Sequence, residues 1–151
     1  MSNSLTYYET TGWRGVMERS SGSPLPEKFQ SIAGAVFPLY HVFADVGEFA
    51  GGEVLTCKSQ AELSVEALAL HKDGRTRILL ANFTASSQQV MLQGVNGTTA
   101  RVRLLDERNV EQAMRSPATF QQRIGTSRSV TDGKLRIELL PVSLARIDLA
   151  P

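Results

Sequence analysis

Hydrophobic and polar positions change their period once along this chain, and the change divides it. Over residues 37–50 the period is helical. Leu39, Val42, Phe43, Val46 and Phe49 follow i, i+3, i+4, i+7 spacing and predict one apolar stripe, with His41, Asp45 and Glu48 on the other side. Pro38 suits the first turn, where its missing N–H costs nothing. Gly51-Gly52 supply a left-handed stop.

From Glu53 onward the period falls to two. Val65, Ala67 and Ala69 alternate with Glu66, Leu68 and Leu70, which predicts a strand partly buried on both faces. His71-Lys72-Asp73-Gly74-Arg75 predicts a hairpin turn, because Asp-Gly tolerates positive φ. Thr76, Ile78, Leu80 and Asn82 then alternate with Arg75, Arg77, Leu79 and Ala81 in the return strand. Gln88 to Gln93 adds a strand with Val90 and Leu92 on one face. Ala100, Val102 and Leu104 against Arg101 and Arg103 give another, half-buried. A short helical turn is expected between Asp106 and Met114, with Val110, Ala113 and Met114 on one side and Pro117 closing it. Lys134 to Leu139 and Ser143 to Leu149 are the last two strands, separated by Pro141.

Short strands joined by polar turns, without alternating helices, predict an antiparallel β-sandwich over residues 53–151. Residues 1–52 stand apart from it. Leu5-Thr6-Tyr7-Tyr8 is rich in strand formers and runs into the loop Glu9-Thr10-Thr11-Gly12-Trp13-Arg14-Gly15. Ser20 to Lys28 is the densest run of structure breakers. This strand, loop and helix look like one βα unit of something larger, since a lone unit of the parallel type has no sheet to join.

The length of 151 residues suits a domain of ordinary size, and the composition is that of a globular chain. Sixteen Lys and Arg against fifteen Asp and Glu leave a net charge of +1, which argues against nucleic-acid and anionic-membrane partners. Cys57 is the single cysteine, so no internal disulfide framework is expected. No apolar run approaches the ~20 residues of a spanning helix, and Met1-Ser2-Asn3-Ser4 opens no secretory signal. A cytoplasmic protein is expected.

The chemical motifs are few. There is no Walker-type or G-x-G-x-x-G loop and no G-x-S-x-G elbow. No cofactor and no metal are expected: His41 and His71 stand apart from ligand-spaced partners, and His41 reads as an ordinary helix-surface residue. Cys57, in the stretch Val54-Leu55-Thr56-Cys57, reads as a small buried hydrophobe in a strand. Asn82-Phe83-Thr84 and Asn96-Gly97-Thr98 fit the glycosylation pattern, but read more simply as a strand end and a turn. Arg75, Arg77, Arg101 and Arg103, spaced by two, read as the solvated face of a sheet.

The remaining constellation is Tyr8, Glu9, Trp13 and Arg14. A carboxylate just past the carboxyl end of a strand is where barrel enzymes place acid–base groups. Tyr and Trp offer flat faces with polar tips, and Arg14 could hold a carboxylate or an oxyanion. Two readings stand side by side. In one, Glu9 is catalytic and Tyr8, Trp13 and Arg14 bind substrate; in the other, Glu9 caps the loop and Trp13 plugs the bottom of the sheet. One carboxylate is not the pair that glycosidase chemistry needs.

Leu5-Thr6-Tyr7-Tyr8-Glu9-Thr10-Thr11-Gly12-Trp13-Arg14-Gly15-Val16-Met17-Glu18 and Phe37-Pro38-Leu39-Tyr40-His41-Val42-Phe43-Ala44-Asp45 resemble the end of a glycoside-hydrolase-like (β/α)₈ barrel, that of the D-apionate lactonase family. Ala67-Leu68-Ala69-Leu70, Arg77 to Asn82, Val102 to Glu107 and Leu144 to Asp148 resemble the β-sandwich that follows such a barrel. The resemblance implies that residues 1–52 are the remnant of the last barrel βα unit and 53–151 the C-terminal sandwich. It implies hydrolysis of a sugar-acid lactone, apionolactone, in carbohydrate catabolism. A barrel needs about 250 residues, so the chain is expected to be a C-terminal fragment, inactive alone, with some apolar surface of residues 5–50 left uncovered. The alternative is a stand-alone carbohydrate-binding or structural β-sandwich module.

Overall fold

The computed structural model describes residues 9–149. The predicted strand at Leu5–Tyr8, and Tyr8 as a site residue, lie outside them. The chain divides into two compact units, Met1–Ala44 with Val110–Gln122, and Asp45–Asn109 with Arg123–Pro151. The division falls inside helix α1, Pro38–Gly47.

In the first unit, the segment after the 9–15 loop is tied by isolated bridges, Thr11 with Met17 and Met17 with Val36. Helices α2 (Val110–Arg115) and α3 (Pro117–Gln121) complete this unit. Pro117 both closes α2, as expected, and opens α3, where its ring stands in the first turn and removes no internal hydrogen bond. Met17, Leu25, Phe29 and Phe43 are exposed, so apolar surface of residues 5–50 is indeed uncovered.

The second unit is an antiparallel β-sandwich. Strands β1 (Glu53–Leu55), β2 (Val65–Lys72), β3 (Arg75–Asn82), β4 (Gln88–Gln93), β5 (Thr99–Leu105), β6 (Thr126–Ser129), β7 (Lys134–Leu139) and β8 (Ser143–Leu149) form two sheets. One has the order β1-β2-β3-β8-β5-β6; the other is β4 paired with β7. The β2–β3 hairpin turns at Asp73 and Gly74, both at positive φ (50° and 73°), the geometry a two-residue turn needs to match the strand twist.

The core lies between the sheets. Ile78 and Leu80 of β3, Ala145, Ile147 and Leu149 of β8, and Ala100 and Val102 of β5 face Leu135, Ile137 and Leu139 of β7, with Val90 and Leu92 of β4 at its margin. These are the even or odd positions that period two assigns to one face. Asn82 ends β3 as expected. Its buried amide donates to the carbonyls of Ser86 and Leu140 (2.8 Å each) and its oxygen accepts from Thr84, so it staples a turn.

Three expectations are corrected, and the structure adds one strand, β6, that the hydrophobic pattern does not predict. Arg77 and Arg103 are buried, not solvated, because the sheet's second face is also covered and carboxylates meet them there. On α1 the most buried side chains are His41 and Asp45, while Phe43 of the expected apolar stripe is exposed. Cys57 lies beyond β1 and is exposed. Strand β6 carries no apolar alternation; Thr-Ser-Arg-Ser is held by pairing with β5 alone. No described helix is long and apolar enough to cross a membrane.

Candidate functional site

The loop of residues 9–15 is closed by its own backbone. Thr10 O accepts from the N–H groups of Val16 (3.0 Å) and Met17 (3.1 Å), and Gly12 donates to Met17 O (2.7 Å). Gly15 is obligatory: a Cβ there would stand 2.6 Å from the Thr10 carbonyl. This tight closure projects three of the four predicted site residues together. Arg14 Nη1 lies 3.9 Å from Glu9 Oε1. The Arg14 guanidinium sits 4.5 Å over the Trp13 ring, and Phe29 stacks on Trp13 at 4.1 Å and 15°.

The order is therefore Glu9, Arg14, Trp13, Phe29. Phe29 takes one face of the indole and the guanidinium the other. Trp13 thus offers a ligand its edge, unless Arg14 swings away. Arg14 can swing, because its side chain is 64% exposed and its pair with Glu9 is at the outer limit of an ion pair. A displaced Arg14 would present a planar fork to a carboxylate or lactone oxygen and uncover an apolar face for a sugar ring. Phe29 was not singled out from sequence; it lies past the Ser20–Lys28 breakers, with no periodicity to connect it to Trp13.

The same segment holds a second carboxylate. Glu18 is 4% exposed; its Oε1 accepts from the Arg19 N–H (2.8 Å), and its Oε2 finds no hydrogen-bond partner among the described residues.

The Ser31 hydroxyl is likewise buried without a hydrogen-bond partner among the described residues, whereas the buried polar groups of α1 and the sheet are engaged within the protein. Contrary to its surface reading, His41 is enclosed: its Nε2 lies 3.1 Å from Ala113 O and its Nδ1 2.9 Å from Gln121 Nε2, so both ring nitrogens are hydrogen-bonded. Phe120 stands edge-on to the ring at 4.7 Å. This histidine joins α1 to the α2–α3 pair within the first unit.

In the second unit, Asp45 sits among three arginines on neighbouring strands. Arg103 of β5 donates to both its oxygens (2.7 and 2.8 Å), and Arg146 of β8 to one (2.9 Å). Arg77 of β3 donates to the Asp45 carbonyl (2.9 Å) and pairs with Asp148 (2.6 Å) and Glu48 (2.7 Å). Arg146 also reaches Asp148 (2.7 Å). Of the three carboxylates that meet these guanidiniums only Asp45 is buried; the Asp148 and Glu48 side chains are 29% and 45% exposed. Burial pushes Arg103 below the ordinary guanidinium value, with Asp45 opposing it. Burial acts the same way on Arg146, but Asp148, Asp45 and Glu48 together outweigh it and raise it. Arg77 and Arg75 also lie over the Phe49 ring, at 4.8 and 5.5 Å. The network ties the end of α1 to the sheet, and its donors are engaged within the protein. Among the described residues no three His, Cys, Asp or Glu side chains converge as a metal site.

A family model described as the D-apionate lactonase C-terminal immunoglobulin-like domain matches residues 62–150. No curated protein matches the chain. Among solved structures, a GH30 endoxylanase from Clostridium papyrosolvens superposes with a TM-score of 0.59 at 15% identity, over 77% of this chain and 28% of the endoxylanase. A 4-O-α-L-rhamnosyl-β-D-glucuronidase from Fusarium oxysporum gives 0.50 at 20% identity, over 74% and 29%. A glycoside hydrolase family 44 xyloglucanase from Paenibacillus polymyxa gives 0.50 at 10%, over 65% and 19%. The chain thus spans less than a third of each of these proteins. At such identities they establish the shared fold.

Proposed function

Since the chain belongs to the family of the D-apionate lactonase C-terminal immunoglobulin-like domain, we propose that it is the C-terminal part of a cytoplasmic sugar-acid lactone hydrolase. The match over residues 62–150 carries this reading. On it, residues 1–52 are the last βα unit of a catalytic barrel and 53–151 the appended sandwich. Glu9 would assist proton transfer at the lactone, and Tyr8, Trp13 and Arg14 would shape the pocket rim. The exposed, loosely paired Arg14 supports this assignment, since it can exchange Glu9 for the lactone carbonyl oxygen or the product carboxylate.

One carboxylate at the rim supplies no complete acid–base mechanism, so the isolated chain is expected to be inactive. Purified protein assayed against aldonolactones should show only the spontaneous rate. Enzymatic turnover by these residues alone, lost on Glu9→Gln, would refute the fragment reading.

The alternative, a carbohydrate-binding module, draws on the Trp13–Phe29 stack, in which Phe29 is exposed and Trp13 half-buried. Calorimetric titration with neutral sugars and with sugar acids separates the two. Binding of sugar acids that Arg14→Ala abolishes supports the rim assignment. Equal binding of neutral sugars, dependent on Trp13 and indifferent to Arg14, supports the module.

A further inference from the structure

The fold holds its asparagine side chains very differently. Asn82 is buried, donates to Ser86 O and Leu140 O, and accepts from the Thr84 N–H. Asn109 donates to Leu104 O (3.0 Å) and accepts from the Asp106 N–H (3.2 Å). Asn96 is exposed, and its side chain bonds to no described residue.

The following residues differ as well. Phe83 and Val110 come after Asn82 and Asn109, and their side chains hinder approach to the backbone nitrogen. Gly97, after Asn96, has no side chain and is exposed, and its N–H donates to no described residue. Its φ of 87° suits glycine, so the unhindered neighbour comes with the turn itself. We propose that Asn96 is a site of spontaneous covalent modification by water, and that one of its products strains the crossover between the two sheets.

The chemistry needs only the chain and water. The Gly97 backbone nitrogen gives its proton to solvent base and attacks the Asn96 Cγ. A C–N bond forms, the bond from Cγ to the side-chain nitrogen breaks, and that nitrogen takes a proton from solvent and leaves as ammonia. One water then opens the cyclic imide. Opening at Cγ gives aspartate. Opening at the backbone carbonyl gives isoaspartate, whose main chain runs through the side-chain carbons and is longer by one atom. Nothing is oxidised or reduced.

The position gives that longer product a consequence. Residues 94–98 carry the chain from β4 in the smaller sheet to β5 in the larger. The crossover is pinned on both sides of Asn96. Buried Val95 donates to Gly133 O (3.0 Å), and Thr98 O accepts from the Val130 N–H (2.8 Å). An added main-chain atom between these pins must distort one of them. Both products also place a carboxylate in the stretch Ala81–Ala100, which holds no Asp, Glu, Lys, Arg or His. The site is independent of the lactonase reading, since it uses none of the rim residues.

The test ages the whole 151-residue chain in mildly alkaline buffer. Ion exchange should resolve a growing species with one more negative charge, and peptide mapping should place aspartate and isoaspartate at position 96. Asn82 and Asn109 should stay intact. Asn96→Gln, whose longer side chain would have to close a larger ring, should slow the appearance of that species by roughly tenfold or more, with an unchanged far-UV circular dichroism spectrum. The isoaspartate form should melt below the aspartate form. An acidic species that persists in Asn96→Gln, or modification of Asn82 or Asn109 ahead of Asn96, overturns the site. So does a folded chain that reacts at Asn96 more than roughly tenfold slower than the same chain unfolded in urea. Equal melting of the two product forms overturns the strain at the crossover.

Discussion

Two carboxylate–arginine settings in this molecule are opposites. Asp45 is 5% exposed and receives three hydrogen bonds of 2.7–2.9 Å from Arg103 and Arg146. Glu9 and Arg14 lie 3.9 Å apart, and both are open to solvent. The first pair is desolvated, so each partner depends on the other and neither can serve a ligand without a large penalty. The second pair is screened by water and gains little from being made. Chemistry that must let go and grip again is therefore better placed at Glu9 and Arg14 than at Asp45, although the Asp45 network is the more conspicuous cluster.

Substitutions can break that contrast. The largest effect is expected for Asp45→Ala, which strands Arg103 and Arg146 without their shared acceptor. It should cost about 3–5 kcal/mol in urea unfolding followed by far-UV circular dichroism, and added salt should change that figure little. A loss under 1 kcal/mol would mean that water reaches the network.

Asp106 is intermediate. Its side chain is buried, and Arg108, 61% exposed, binds it at 2.6 Å. The Arg108 side chain, more than its burial, holds the Asp106 carboxyl below the ordinary carboxylate value. Its stabilisation is thus complete above the unfolded value and disappears as pH falls through the folded one. Asp106→Asn should cost about 1 kcal/mol near neutrality, a charged hydrogen bond discounted for the exposed partner. The gap between variant and parent should close in acid. A gap independent of pH would assign the loss to the Asp106–Asn109 turn instead.

Glu9→Gln and Arg14→Ala should each move stability by no more than about 0.5 kcal/mol. A larger loss would make the loop pair structural and would favour the reading in which Glu9 caps the loop.

The apolar side of the sandwich was legible in the sequence because burial on one face leaves a period-two signature, as in Leu135, Ile137 and Leu139. The arginine side was not. Alternation marks Arg77 and Arg103 as polar and so assigns them outward; only their partner reverses this, and Asp45 lies 58 residues from Arg103. A clue was present in α1 and the turn after it, where His41, Asp45 and Phe49 recur every four residues. The larger apolar stripe outweighed it. Strand β6 was unreadable because its pairing is backbone alone. In the 9–15 loop, the proximity of Glu9, Trp13 and Arg14 follows from a short glycine-bounded segment, whereas Phe29 reaches Trp13 only through the folded path of residues 16–28.

Trp13 is the chain's one tryptophan, and the tyrosines, Tyr7, Tyr8 and Tyr40, also fall before Ala44. The eight-stranded body consequently contributes almost nothing to near-ultraviolet absorbance or to emission excited at long wavelength. A melting curve recorded by fluorescence would follow the indole's stack with Phe29 and Arg14, and the sandwich could unfold unseen. That optical silence also makes the indole a clean reporter of ligands reaching the loop, with no second fluorophore to subtract.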